Sequence, residues 1–81
     1  MQDTAGLVYL KLGNISRAST LLKEAAGGLP DNAEVQYHYA QALAAQGNSK
    51  EALDVLTRAL SKGANFSERA EAEALLKELG G

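Results

Sequence analysis

Apolar residues recur along this chain at intervals of three and four positions, with polar residues between them. Two stripes show the pattern most clearly: Ile15, Ala18, Leu22 and Ala25, then Ala52, Leu56, Ala59 and Leu60. Residues at these intervals lie on one face of an α-helix, so each stripe predicts a helix with one buried side.

Helix-capping signals divide the chain into five such segments. Asn or Asp stands at positions 14, 31, 48 and 65, which are 17 residues apart each time. A side-chain oxygen at such a position can accept a hydrogen bond from a free amide in the first turn of a helix. Glu follows three residues later, as in a capping box, in the pairs Asp31/Glu34, Asn48/Glu51 and Asn65/Glu68. The predicted helices are Thr4–Leu12, Ile15–Gly27, Ala33–Gln46, Ser49–Lys62 and Ser67–Leu79.

The chain also repeats itself at twice this spacing. Identical residues 34 positions apart are Gln2/Gln36, Gly13/Gly47, Asn14/Asn48, Ala18/Ala52, Leu22/Leu56, Ala25/Ala59 and Glu34/Glu68. Short connections between the helices require neighbouring helices to be antiparallel. We therefore predict an all-α fold of five antiparallel helices in one domain, with a hairpin over about 1–30, a second over about 31–64 and a C-terminal capping helix over about 65–79.

The residues at fixed positions of the two units resemble the tetratricopeptide repeat family. They are Gly6, Tyr9, Ala18, Leu22 and Pro30 in the first unit, and Ala40, Leu43, Ala52, Leu56 and Ala64 in the second. The family has a 34-residue helix–turn–helix period with small residues where helices approach closely. Its Trp position is occupied here by Gln2 and Gln36. The resemblance implies hairpins stacked into a superhelix, with the first helix of each hairpin lining a concave surface that binds proteins.

Composition and charge narrow the classes of function. The chain has 81 residues, a net charge of −2 and a pI near 5.2, which argues against a surface that follows the phosphates of nucleic acid or anionic lipid. It contains no cysteine, which excludes disulfides and thiol chemistry. Residues 66–81 hold four acidic and two basic residues and account for the whole net charge. A polar last helix is what an open-ended stack needs to remain soluble.

The sequence offers no candidate for catalysis or metal binding. His38 is the only histidine, and we interpret it as a packed helix residue. Glu68, Glu71 and Glu78 alternate with alanines, so we interpret them as a solvated helix surface. Catalysis needs a nucleophile with a base, a metal cluster or a poised pair of carboxylates. We therefore predict neither an enzyme nor a cofactor.

The resemblance implies a partner-binding surface on the concave face. Its candidate residues are Leu7, Leu10, Glu34, Tyr37, Gln41, Ala44, Glu71 and Leu75, with Glu68 and Glu78 extending the set on the last helix. Tyr37 is the strongest candidate, because tyrosine offers a large contact area at small entropic cost. The alternative is that Tyr37 packs between the hairpins. Tyr9 and Tyr39 are expected in the core.

The charge of these positions suggests what kind of partner would bind. Members of the family that bind a terminal carboxylate do so with Lys and Asn, but here the corresponding positions hold Asp3, Leu7, Gln41, Glu68 and Ala72. A basic or amphipathic protein segment, bound as a helix or as an extended peptide, is the better prediction.

A structural role is the alternative function. The hairpins could end a longer superhelix, exposing an apolar side around Leu7, Leu10 and Leu12 through which the chain would form homo-oligomers. The stretch from Phe66 to Leu76 resembles the C-terminal end of bacterial tetratricopeptide lipoproteins of the exosortase export system. That resemblance implies a scaffold for exopolysaccharide or protein export in the cell envelope or periplasm.

If the chain does not belong to such a lipoprotein, we expect it in the cytoplasm. No apolar run approaches the ~18–20 residues that a membrane span needs, and Met1 is followed by Gln2 and Asp3 rather than by a secretion signal. We expect a soluble segment that does not itself insert into a membrane. A helical pattern that is already present at the first residues is typical of a piece of a longer protein.

Overall fold

Five α-helices make up the fold in the computed structural model, which describes residues 2–61 and 66–80. They are α1 (Gln2–Lys11), α2 (Ile15–Gly28), α3 (Ala33–Ala45), α4 (Ser49–Ser61) and α5 (Arg69–Glu78). The described residues contain no strand, and the predicted all-α class is confirmed. The predicted helix ends are correct to within two residues where the structure describes them.

The turns inside the two hairpins are built alike. Gly13 and Gly47 follow α1 and α3 with φ of +83° and +84°, a left-handed conformation that favours glycine. The amide of the next Asn donates to a carbonyl five residues back, from Asn14 to Tyr9 and from Asn48 to Leu43, each at 2.9 Å. This is the hydrogen bond of a Schellman motif, and it satisfies a carbonyl at the end of each helix.

The cap of α3 differs from the prediction. Asn32, and not Asp31, accepts the hydrogen bond from the Val35 amide, at 3.1 Å. The reason is the turn through Pro30 and Asp31, which is closed by the Asn32 amide donating to the Leu29 carbonyl at 3.0 Å. Asn32 is consequently the last residue before the helix. The cap predicted at Asn14 is confirmed, since its side chain accepts from the Arg17 amide.

The last helix begins two residues later than predicted. A turn through Ser67 and Glu68 closes when the Arg69 amide donates to the Phe66 carbonyl at 3.1 Å, so α5 starts at Arg69 rather than Ser67. Glu68 stands at the cap position but makes no side-chain capping bond. The predicted cap Asn65 and the predicted helix end Lys62 lie outside the described residues.

Helix packing follows the order of the chain. The helices α1 and α2 pack as one hairpin and α3 and α4 as a second, while α2 packs on α3 and α5 packs on α4. The helix α3 also contacts α1 and α5, so it touches all four others. Leu22 and Leu56, the equivalent residues of the two hairpins, are the largest fully buried side chains.

Small residues allow the helices to approach closely, as predicted. A Cβ added to Gly6 on α1 would lie 2.5 Å from Cγ of Leu22 on α2, which is closer than carbon atoms pack. Ala18, Ala40 and Ala52 are likewise fully buried. The short distance between α1 and α2 therefore favours glycine at position 6, because a larger residue would have to displace the Leu22 side chain.

Candidate functional site

A shallow groove lies where the first helices of the hairpins and the last helix come together. Leu10 lines it from α1, and Tyr37, Gln41 and Ala45 line it from α3. The α5 side is formed by Glu71, Ala74, Leu75 and Glu78. On α3 these residues are four positions apart, and on α5 they stand at positions 71, 74, 75 and 78, so each helix contributes one continuous face. We call this surface the α1–α3–α5 groove.

Five of the eight predicted binding residues line this groove, namely Leu10, Tyr37, Gln41, Glu71 and Leu75. Leu7, Glu34 and Ala44 are partly buried and are not among its lining residues. Ala44 instead packs against the hydrophobic core, and the neighbouring Ala45 takes the groove position. Sequence reasoning missed Ala45 and Ala74. The spacing of four residues from Gln41 to Ala45 is the signal that could have found the former.

Tyr37 is mostly buried, with 4% of its surface exposed. Its ring lies 5.6 Å from the His38 ring and 6.3 Å from the Phe66 ring, measured between centroids. Its hydroxyl oxygen accepts a hydrogen bond from Gln41 Nε2 at 3.1 Å. Of the two alternatives for Tyr37, exposure in the groove and packing between the hairpins, this burial supports packing. Tyr37 packs in the core, and only the small exposed part of its side chain lines the groove.

Burial and nearby acids keep the Tyr37 hydroxyl protonated. Burial raises the pKa of Tyr37 above its ordinary value, the negative charges of Glu68 and Glu71 raise it further, and the hydrogen bond from Gln41 acts in the opposite direction. At neutral pH the groove therefore presents a neutral phenol beside an amide, rather than a phenolate.

The charged residues of the groove are all acidic. Glu71 and Glu78 are exposed on its α5 wall, and no basic residue is among those that line it. Over the described part of the chain, neither carboxylate takes part in a salt bridge. By contrast, Glu73 on another face of α5 lies 3.1 Å from Arg69 Nε. The groove is therefore a negatively charged surface without an internal counter-ion.

A buried histidine joins this wall to the rest of the fold. His38 on α3 has 3% of its surface exposed, and its Nε2 lies 2.7 Å from Glu68 Oε1 at the start of α5. The interpretation of His38 as a packed residue agrees with this burial. The interpretation of Glu68 as part of a solvated surface is only partly met, because its side chain is 38% exposed but its carboxylate also bonds His38. The pair fixes where α5 begins relative to α3.

The other two tyrosines, both expected in the core, differ in how deeply they are buried. Tyr39 is buried as predicted, and its hydroxyl donates to Glu51 Oε2 at 3.3 Å. Burial and the negative charge of Glu51 raise the pKa of Tyr39. Tyr9 is only half-buried, and the Arg17 guanidinium carbon lies 5.5 Å from the centre of its ring. The expectation that Tyr9 belongs to the core is therefore only partly met, because α1 has no helix on its other side among the described residues.

The described residues hold no group of three or more His, Asp or Glu side chains placed to bind a metal ion. Within the same part of the chain, no helix combines the length and apolar character needed to cross a membrane.

Comparison with known proteins identifies the repeat. A protein-family model described as tetratricopeptide repeat matches residues 4–68, from the first turn of α1 to the residue before α5. No curated protein and no solved structure matches the chain. The matched segment covers both hairpins and most of the chain. The protein belongs to the tetratricopeptide repeat family.

Proposed function

We propose that this chain is a protein-interaction module that binds a partner protein or peptide in the α1–α3–α5 groove. Tetratricopeptide repeats generally mediate protein–protein interaction and form a non-catalytic module. The observation that carries the proposal is the composition of the groove. Three helices contribute apolar and small side chains to one concave surface, edged by two acids that form no ion pair with any residue the structure describes.

The groove has the general composition of a protein-binding surface. Leu10, Leu75 and the two alanines supply apolar area, whereas Gln41 and the Tyr37 hydroxyl, which bond each other, are uncharged polar groups beside it. Recognition surfaces combine an apolar centre with a polar rim in this way. The acids at the rim favour a basic or amphipathic segment as the partner.

Site-specific photocrosslinking tests where a partner binds. A photoreactive amino acid at position 75 lies on the wall of the groove, and the same residue at position 57 lies on the exposed face of α4 as a matched control. We expect a partner to be crosslinked from position 75 and not from position 57. Crosslinking from position 57 alone would overturn the proposal, as would capture at position 75 that persists when Gln41→Ala and Ala45→Asp, two changes on the α3 side of the groove, are combined.

A second function is favoured by a different surface. Val8 and Leu12 are four positions apart around the end of α1 and are 51% and 74% exposed. Exposed apolar side chains at helical spacing suit contact with another hairpin. The alternative proposal is that this side joins the chain to a second copy or to further repeats of a superhelix. Sedimentation should then show association that Leu12→Gln reduces, and a monomer at high concentration would refute self-association.

The resemblance of residues 66–76 to export-associated lipoproteins supports a more specific version of this scaffold role. On that proposal the chain serves exopolysaccharide or protein export in a bacterial envelope. Fractionation of the protein as its native gene expresses it tests this proposal, and recovery in the cytoplasm alone would contradict it.

A further inference from the structure

We propose that the partner segment is an amphipathic α-helix with two basic residues seven positions apart and apolar residues midway between them. This inference rests on the proposed function, because it names the class of segment that would occupy the α1–α3–α5 groove. Three observations support it: the spacing of the two acids, the small and apolar side chains between them, and the hydrogen bond that already joins the uncharged polar groups of the groove.

The acids set the spacing of the basic residues. Glu71 and Glu78 are seven residues apart on α5, which places them about 10.5 Å apart along the helix axis on nearly the same face. A partner helix lying along α5 presents its residues i and i+7 at the same separation and on the same face. A flat strand matches this separation less well, because residues about 10 Å apart along it are three positions apart and point to opposite faces.

The side chains between the acids suit an apolar anchor. Leu75 and Ala74 lie between Glu71 and Glu78 on the groove face of α5, and Ala45 faces the groove from α3. Alanines let a third helix approach closely, while Leu75 and Leu10 offer apolar contact. Residues i+3 and i+4 of a partner helix would lie opposite this patch when i and i+7 lie opposite the two glutamates.

The polar groups of the groove also favour a helix over an extended peptide. An extended segment carries unpaired backbone amides and carbonyls, so it needs a row of hydrogen-bonding partners. The uncharged polar side chains that line the groove are Tyr37 and Gln41, and these already bond each other at 3.1 Å. A helix satisfies its own backbone and needs no such partners.

A synthetic peptide series tests the spacing directly. The test peptide is a stapled, alanine-based helix with Lys at i and i+7 and Leu at i+3 and i+4. The first control has the same composition with its second Lys moved to i+5, on another face. The second control has no staple and carries proline in place of the alanine at i+5, so it keeps both Lys and both Leu residues but cannot form the helix. Fluorescence anisotropy at low salt measures binding to the full chain.

We expect the test peptide to bind most tightly and to weaken as salt is added. Exposed ion pairs contribute modestly, so Glu71→Gln and Glu78→Gln should each weaken binding about two- to fivefold. Glu73→Gln, which removes the same charge from another face of α5, is the matched control and should change binding less than either. Circular dichroism confirms that the three variants keep the fold.

Several results would overturn the inference. They are equal binding of the i+5 peptide, tighter binding of the proline peptide, and a loss on Glu73→Gln as large as that on Glu71→Gln. Absence of binding by every peptide would also reject it. The proposed function would then still be judged separately, since crosslinking from position 75 does not depend on a basic or helical partner.

Discussion

The two hairpins share one sequence pattern but not one environment. Val8 on α1 and Ala42 on α3 occupy equivalent positions 34 residues apart, yet Val8 is 51% exposed and Ala42 is fully buried. The larger apolar residue is thus the exposed one. The difference arises because α3 contacts helices on both sides, whereas, among the helices the structure describes, α1 contacts α2 and α3 alone. In a stacked repeat, the neighbours of a helix decide what is buried.

Residues that pack between the two helices of one hairpin are buried alike in both hairpins. Leu22 and Leu56 are also equivalent, and both are fully buried. Each lies on the second helix of its own hairpin, in a stripe that faces the first helix. Packing within a hairpin is therefore set by the repeat itself, while packing between hairpins depends on position in the stack.

Truncating the two equivalent leucines should give the largest effects. Leu22→Ala and Leu56→Ala remove fully buried side chains, so each should lower the free energy of unfolding by about 2–5 kcal/mol. We expect the larger loss at Leu56, since its hairpin packs against neighbours on both sides and cannot collapse as freely around the cavity. Urea unfolding measures both. A larger loss at Leu22 would contradict the comparison.

Cutting the link between α3 and α5 should have the next largest effect. His38→Ala removes a buried partner of Glu68 and should destabilise the fold by about 1–3 kcal/mol. Hydrogen exchange should show α5 losing protection before α2. Glu68→Gln, which retains a hydrogen-bonding side chain, is the milder matched change. Equal loss of protection in every helix would show that the pair does not specifically hold α5.

Exchanging the equivalent residues Val8 and Ala42 tests the comparison most directly. Ala42→Val overpacks a buried site and should cost about 1–3 kcal/mol. Val8→Ala changes an exposed position and should alter stability by no more than about 0.5 kcal/mol. Thermal unfolding of the two single variants suffices. Similar costs at both sites would mean that α1 is as enclosed as α3.

Gly6→Ala tests the close approach inside the first hairpin. The new Cβ would meet Leu22, at a cost of about 1–3 kcal/mol, while alanine recovers about 1 kcal/mol of helix propensity. A small net destabilisation is expected. Gly27→Ala on α2, where an added Cβ meets nothing within 4 Å, is the control and should be neutral or stabilising. A stabilising Gly6→Ala would refute the contact.

Alkaline pH should act mainly on the second hairpin. The pKa values of Tyr37 and Tyr39, both on α3, are raised in the folded protein. The unfolded chain then loses these protons at lower pH than the folded chain, so the stability they contribute is present below about pH 10 and is lost as pH rises above it. Unfolding measured between pH 8 and 11 should show this fall. Tyr37→Phe should make it shallower, and an unchanged slope would count against the shift.

Much of the fold follows from local patterns. The stripe through Ala18, Leu22 and Ala25 predicts a buried helix face, and the structure buries all three. Gly13 and Gly47 end helices as their positions indicate, because a left-handed residue is needed there. The cap of α3 could not be placed as well, since Asp31 and Asn32 are both good capping residues and only the turn at Pro30 decides between them.

Several features of the groove could not be predicted from local sequence patterns. The resemblance to the repeat family implies Tyr37, Gln41, Glu71 and Leu75 as groove residues, but it did not separate Ala44 from Ala45. Nor could it show that Tyr37 is buried, since that depends on Phe66. The His38–Glu68 bond joins residues 30 positions apart, for which no local signal exists.

The sequence by itself determined the helices, their turns and the 34-residue repeat, because these depend on hydrogen bonds and side-chain spacing within a few residues. Only the tertiary structure decided which equivalent positions are buried, which glutamate bonds His38, and which residues meet in the groove. Those outcomes depend on helices brought together from distant parts of the chain. In a repeat protein, equivalent residues differ in environment because the stack has ends.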